Sequence, residues 1–185
     1  MPSNRYSTGA IILHWAIAIG VIVNWRLADA AEGVPREQHL AALGPHMATG
    51  MLILVLTVAR LAWRLTHTHP PLGSHLAKWE TILARIVHYV FYTLLLVLPL
   101  MAWVGTSMQG HAIDFFGWFS IPLLPAPSDP GGGHELLEVH GTIANIMLWL
   151  VVLHVLGALK HHFWDKDGEL YRMWPWGTPK GGPAE

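Results

Sequence analysis

The chain has 185 residues, 52% of them hydrophobic and 12% charged, with a formal net charge of −1. That balance is too apolar for an ordinary soluble domain and predicts one membrane domain over residues 1–185, while the lack of a Lys/Arg run excludes nucleic acid as a partner. Without cysteine, disulfides, thiolate zinc sites and iron–sulfur clusters are excluded as well, which leaves thirteen histidines and ten tryptophans as the unusual residues.

Residues 1–8 form a short polar lead carrying Arg5. From about residue 9 to 28 the sequence is almost wholly apolar, broken by His14, Asn24 and Arg26, and is long enough to cross a hydrocarbon core of about 30 Å. The rival reading is a signal peptide, with Arg5 as its basic start and Ala28-Asp29-Ala30 as its cleavage site. The run exceeds a usual h-region, and a histidine has no use in a discarded peptide, so a first span is expected. A polar connection over 29–45 leads to a second span at about 46–65, with Pro45 where a helix start tolerates it. Near its far end Arg60 and Arg64 lie four apart on one face beside Trp63, a pattern of interfacial anchors.

The loop 66–80 carries His67 and His69, which in a Pro-rich segment read as solvated side chains rather than a metal pair. A third span is expected at about 83–104, with His88 near its beginning and Pro99 kinking it near its end. Residues 105–138 form the longest connection, whose aromatic stretch 114–122 belongs at the membrane interface in short turns. Within it Gly131-Gly132-Gly133 reads as a flexible linker, since no strand precedes it and no Lys-Ser/Thr follows. The fourth span, about 140–159, runs into a polar tail with Lys160, His161, His162, Lys166, Arg172 and Lys180. The expected fold is an all-α membrane protein, a bundle of four transmembrane helices. Nine of the eleven Lys/Arg fall on the side of the N-terminus, the 66–80 loop and the C-terminal tail, so the positive-inside rule predicts both termini cytoplasmic.

In the fourth span His140 and His154 are fourteen positions apart. At about 100° and 1.5 Å per residue they fall within roughly 40° of one face and about 21 Å apart along the axis. Two metal-competent side chains at opposite ends of one apolar face are better explained by two stacked cofactors than by packing. The topology sets His14 level with His154 on the inner side and His46 level with His140 on the outer side. Facing imidazoles at each level are what a six-coordinate haem iron requires, and such a closed site passes electrons rather than binding oxygen.

Gly50, four residues after His46 and on its face, leaves room for a porphyrin edge, although close helix packing accounts for it equally well. Gly157 and Ala158 do the same beside His154. His88 reads as a packing or hydrogen-bonding residue, in reach of a haem propionate or a quinone pocket. Inner propionates would be neutralised by Arg60, Arg64 or Arg5, outer ones by Arg26 or Arg36.

These features together resemble the bacterial cytochrome b561 family, four-helix dihaem membrane proteins, over nearly the whole chain. The resemblance is carried by Leu13-His14-Trp15, His46 to Gly50, Arg60-Leu61 and Arg64-Leu65, and Phe116-Gly117 through Ile121-Pro122. It is carried above all by His140, His154, Lys160-His161-His162-Phe163 and Arg172-Met173. It implies two haem b per chain, ligated by His14 with His154 and His46 with His140. It also implies a multi-pass protein of the bacterial inner membrane, in contact with lipid, that exchanges electrons with ubiquinone.

The expected function is transfer of electrons between ubiquinone and a periplasmic redox partner. One class of the family is similar to a superoxide oxidase, which makes a superoxide:ubiquinone oxidoreductase the enzymatic form of this reading. The outer segments carry Asp29, Glu32, Glu37, Asp114, Asp129, Glu135 and Glu138 against Arg26 and Arg36, a field that repels superoxide and suits a cationic redox protein. A haem-b anchor subunit of a larger dehydrogenase or hydrogenase is the alternative. A metal transporter is disfavoured, because the fourth span has no carboxylate.

Overall fold

The structure, a computed structural model, describes residues 5–68, 70 and 77–176. Its order is α1 (Thr8–Glu32), α2 (Arg36–Ala42), α3 (Gly44–Thr66), α4 (Lys78–Met108), β1 (Ile113–Phe115), β2 (Phe119–Ile121) and α5 (Pro130–Lys160). A π-helical turn, His161–Asp165, and a 3-10 turn, Glu169–Met173, complete it. Four helical segments are long and apolar enough to cross a membrane.

Each helix runs past the apolar stretch that announced it. In α1 the helix continues beyond residue 28, so Ala28-Asp29-Ala30 is helical, Arg26 pairs with Asp29 one turn on at 2.9 Å, and Ala31 is buried. The start of α4 moves back to Lys78, where the Glu80 carboxylate accepts from the Ala77 amide at 3.0 Å. Helix α4 is continuous through Pro99.

The largest departure is α5, which starts ten residues before His140 and takes in Gly131-Gly132-Gly133, expected as a flexible linker. Asp129 caps this end, its Oδ1 accepting from the Gly132 amide at 3.0 Å, and Pro130 occupies the first turn where no amide is needed. The glycines serve close approach here. A Cβ on Gly133 would stand 2.7 Å from the Gly105 carbonyl oxygen, and one on Gly105 would stand 3.0 Å from Leu137 Cγ. Helices α4 and α5 therefore meet backbone to backbone at this end.

Helix α1 packs on α3, α3 on α4, and α4 on α5. The buried core is small, Ile17, Val21 and Ile53 with Leu56, Leu95 and Met147 around it. Large apolar side chains such as Ile12, Val55, Leu65, Ile86 and Leu153 point outward. That inversion of an aqueous protein is what lipid around a bundle permits, because hydrocarbon solvates them as well as a core does.

The connection from α4 to α5 holds an antiparallel hairpin pairing Phe115 with Phe119. The strands are three residues each, too short for a period-two signal in the sequence. Phe116 (φ 54°) and Gly117 (φ 77°) form the left-handed pair of a type I′ turn, and Asp114 Oδ2 accepts from the Gly117 amide at 2.7 Å. Ile113 is buried and β1 rests on α3, while Trp118 at the tip is 82% exposed. Trp103 Nε1 donates to the Pro122 carbonyl at 3.0 Å and fastens the segment to α4.

At the opposite end the tail folds back over the start of α1. The Tyr6 amide donates to the Arg172 carbonyl at 3.1 Å, Arg5 Nη2 to the Trp174 carbonyl at 2.6 Å, and Trp15 Nε1 to the Met173 carbonyl at 2.8 Å. We refer to the two ends as the hairpin end and the terminal end.

Candidate functional site

The histidines singled out by depth come together in space. At the hairpin end His46 of α3 and His140 of α5 have ring centroids 6.2 Å apart and planes at 90°. At the terminal end His14 of α1 and His154 of α5 are 6.4 Å apart at 73°. Two imidazoles on opposite sides of one metal ion, each bonded at about 2 Å, place their ring centres about 6.3 Å apart. Both pairs match that spacing, so the donor sets fit two bis-imidazole irons.

The hairpin-end rings are anchored. His46 Nδ1 lies 3.0 Å from the Asn24 carbonyl oxygen, and His140 Nδ1 lies 2.9 Å from that of Leu98. A carbonyl can only accept, so both Nδ1 atoms carry the proton and Nε2 keeps the lone pair a metal needs. Such partners orient a ligating ring and raise its basicity.

At the terminal end His88 is a third imidazole. Its ring lies 6.3 Å from that of His154 at 66°, and Phe91, three residues on, lies 5.5 Å from His154. The sequence places His88 at the level of the inner pair, and the structure adds its direct approach to His154. Among the described residues no hydrogen bond holds the ring nitrogens of His14, His88 or His154.

Arg60 follows His46 by fourteen positions, the interval that separates His140 from His154, and so returns to the same face one level down. Its guanidinium is an electrostatic neighbour of His14, His88 and His154. Arg60 Nε donates to the Tyr92 hydroxyl at 3.2 Å, and among the described residues it has no carboxylate partner. Arg60, Arg64, Tyr6, Tyr92 and Met173 line a cavity open at this end. The interval was legible in the sequence; Tyr92, four residues after His88 on α4, was passed over.

Gly50 faces α1, its nearest neighbour Asn24 Nδ2, 3.7 Å from where a Cβ would stand. The Asn24 Oδ1 atom is buried and makes no hydrogen bond among the described residues. Gly157 has open space beside it. His67 stacks on Trp63 at 4.0 Å, whereas His69 lies outside the described residues. Sequence reasoning also missed a polar lock between the start of α4 and the end of α5. Lys160 Nζ sits 2.7 Å from Glu80 and 2.8 Å from Asp165, and His161 Nδ1 lies 2.7 Å from Asp167. Glu80, His161 and Asp165 lie close enough to share a cation, and the Lys160 ammonium already pairs with the two carboxylates.

Comparison with known proteins agrees with this architecture. A family model described as prokaryotic cytochrome b561 matches residues 5–176. The chain is 34% identical over 173 residues to cytochrome b561 homolog 2 of Escherichia coli (strain K12), covering 91% of this chain and 90% of that one. It is 28% identical over 174 residues to the probable superoxide oxidase CybB of Yersinia pestis, covering 92% and 96%. To cytochrome b562 of Cereibacter sphaeroides it is 28% identical over 176 residues, covering 91% and 94%. With a match from the first described residue to the last, the chain belongs to the prokaryotic cytochrome b561 family and is a membrane b-type cytochrome of electron transfer.

Proposed function

We infer that the chain binds two haem b groups and carries electrons across the bacterial inner membrane, between ubiquinone and a redox partner on the periplasmic side. The observation that supports this most is the pair of imidazole spacings, 6.4 Å for His14 with His154 and 6.2 Å for His46 with His140. When bound, the two irons supply one-electron chemistry, and two imidazoles on each leave no coordination position for oxygen.

The chain's own residues set the conditions for that chemistry. His46 and His140 present Nε2 because their Nδ1 protons are held by helix carbonyls. Arg60 and Arg64 offer uncompensated positive charge to propionates at the terminal end. The positive-inside count favours a cytoplasmic terminal end.

A reduced-minus-oxidised spectrum with haem quantified per chain tests the reading. Two haem b per chain with low-spin bands are expected; one haem, or none, overturns it.

Oxidation of superoxide is the second reading, favoured by the similarity to the Yersinia pestis protein named as a probable superoxide oxidase. The hairpin end opposes it, since seven carboxylates face two arginines and Arg26 is paired with Asp29. Stopped-flow mixing of superoxide with oxidised protein separates the two. Haem reduction no faster than spontaneous dismutation removes the superoxide reading and leaves the electron carrier standing.

A further inference from the structure

We propose that the terminal-end haem site is built with two interchangeable axial imidazoles, His14 and His88, opposite one fixed partner, His154. The proposal rests on the dihaem reading above and concerns which residues hold the second of its two irons.

The ring of His154 lies 6.4 Å from His14 and 6.3 Å from His88, with planes at 73° and 66°. The distances of 6.4 Å and 6.3 Å both match the spacing of about 6.3 Å expected across a shared metal. Spacing and tilt therefore give neither residue the advantage. An iron has one axial position opposite His154, so one of the two binds while the other stands beside the site.

The contrast with the hairpin end decides whether they can trade places. There each ring is tied by Nδ1 to a carbonyl of a neighbouring helix, at 3.0 Å for His46 and 2.9 Å for His140, so turning either breaks a hydrogen bond. No such bond among the described residues holds His14 or His88, so turning either ring breaks no hydrogen bond, whereas Phe91 packs against His154 at 5.5 Å. His14 stands on α1 and His88 on α4, so the two alternatives reach His154 from different helices. One iron–nitrogen bond breaks and another forms between neutral imidazoles, with no electron or proton transferred. Arg60 lies near all three rings, so its charge is present in either ligation state.

The test uses the full-length holoprotein, with haem per chain measured chemically and spin state by electron paramagnetic resonance. His14→Ala is expected to keep two low-spin haems, because His88 takes the vacated position. His14→Ala combined with His88→Ala is expected to lose one haem or convert it to a five-coordinate high-spin form that free imidazole restores to low spin. Loss or high-spin conversion of one haem in His14→Ala alone, while the wild type holds two, overturns the proposal. So does a double variant that keeps two low-spin haems without added imidazole.

If His14→Ala does not fold, the conservative change decides. The wild type is expected to show two overlapping low-spin components for this haem, and His88→Ala one; identical spectra overturn the proposal. A wild type with fewer than two haems instead overturns the dihaem reading, so the two failures are told apart.

Discussion

His140 Nδ1 donates a hydrogen bond to the carbonyl of Leu98, 2.9 Å away on the neighbouring helix and one residue ahead of Pro99. The bond sets which nitrogen of the ring points inward, and with the matching bond from His46 to Asn24 it defines a site with no rotational freedom. Removing the ring is expected to empty that site. His140→Ala should fall from two haems per chain to one, the remaining one at the terminal end, and His154→Ala should lose the other. Pyridine haemochrome quantification checks both; two haems in either variant would refute the pairing.

Orientation of the rings gives a second expectation. With planes 90° apart at the hairpin end, the two axial imidazoles split the iron orbitals weakly. Oxidised protein should show a highly anisotropic low-spin resonance for this haem. A rhombic spectrum of the kind given by parallel imidazoles would contradict the ring geometry.

Arg60 should raise the potential of the terminal-end haem, because a fixed positive charge favours the reduced iron, which carries one positive charge fewer. Arg60→Gln removes the charge and leaves a polar group for Tyr92. The potential of that haem is expected to fall by on the order of tens of millivolts, with a smaller fall at the hairpin-end haem, whose ligand His46 lies about 21 Å along the helix axis from Arg60, because Coulomb energy falls with distance. Redox titration of both haems checks it, and equal shifts in the two would sink the assignment of Arg60 to one level.

Gly133 touches the Gly105 carbonyl oxygen too closely for any side chain, at 2.7 Å from an added Cβ. Gly133→Ala must part α4 and α5 at the hairpin end, with a cost of about 1–3 kcal/mol by analogy with other overpacked contacts. The thermal midpoint of the detergent-solubilised holoprotein should fall, whereas Gly157→Ala, facing open space, should leave it near the wild-type value. An unchanged midpoint in Gly133→Ala would remove the close-contact role.

Reporter fusions test the orientation. The positive-inside expectation is that a fluorescent protein fused after residue 185 fluoresces and that alkaline phosphatase fused there is inactive; the reverse pattern would invert the bundle.

Much of the bundle was legible because depth adds up along a helix. About 1.5 Å per residue places His14 and His154 at one level and His46 and His140 at another without knowledge of which helices touch. Hydropathy located the four spans because each is a long run of apolar residues. The ends of the helices were less legible. Gly131-Gly132-Gly133 reads as flexible by intrinsic preference, yet the Asp129 cap and the contact with Gly105 hold it helical, which is tertiary packing overriding propensity.

The sequence by itself determined the membrane class, the four spans and the levels of the four paired histidines, since each follows from composition or from distance along one helix. Only the tertiary structure decided what lies beside each ring. It set His88 against His154, tied His46 and His140 to carbonyls of α1 and α4, and seated Lys160 between Glu80 and Asp165. Those contacts depend on the rotation of each helix about its own axis relative to its neighbours. Each residue turns that axis by about 100°, so small differences in packing choose the partner, and no one-dimensional pattern carries that choice.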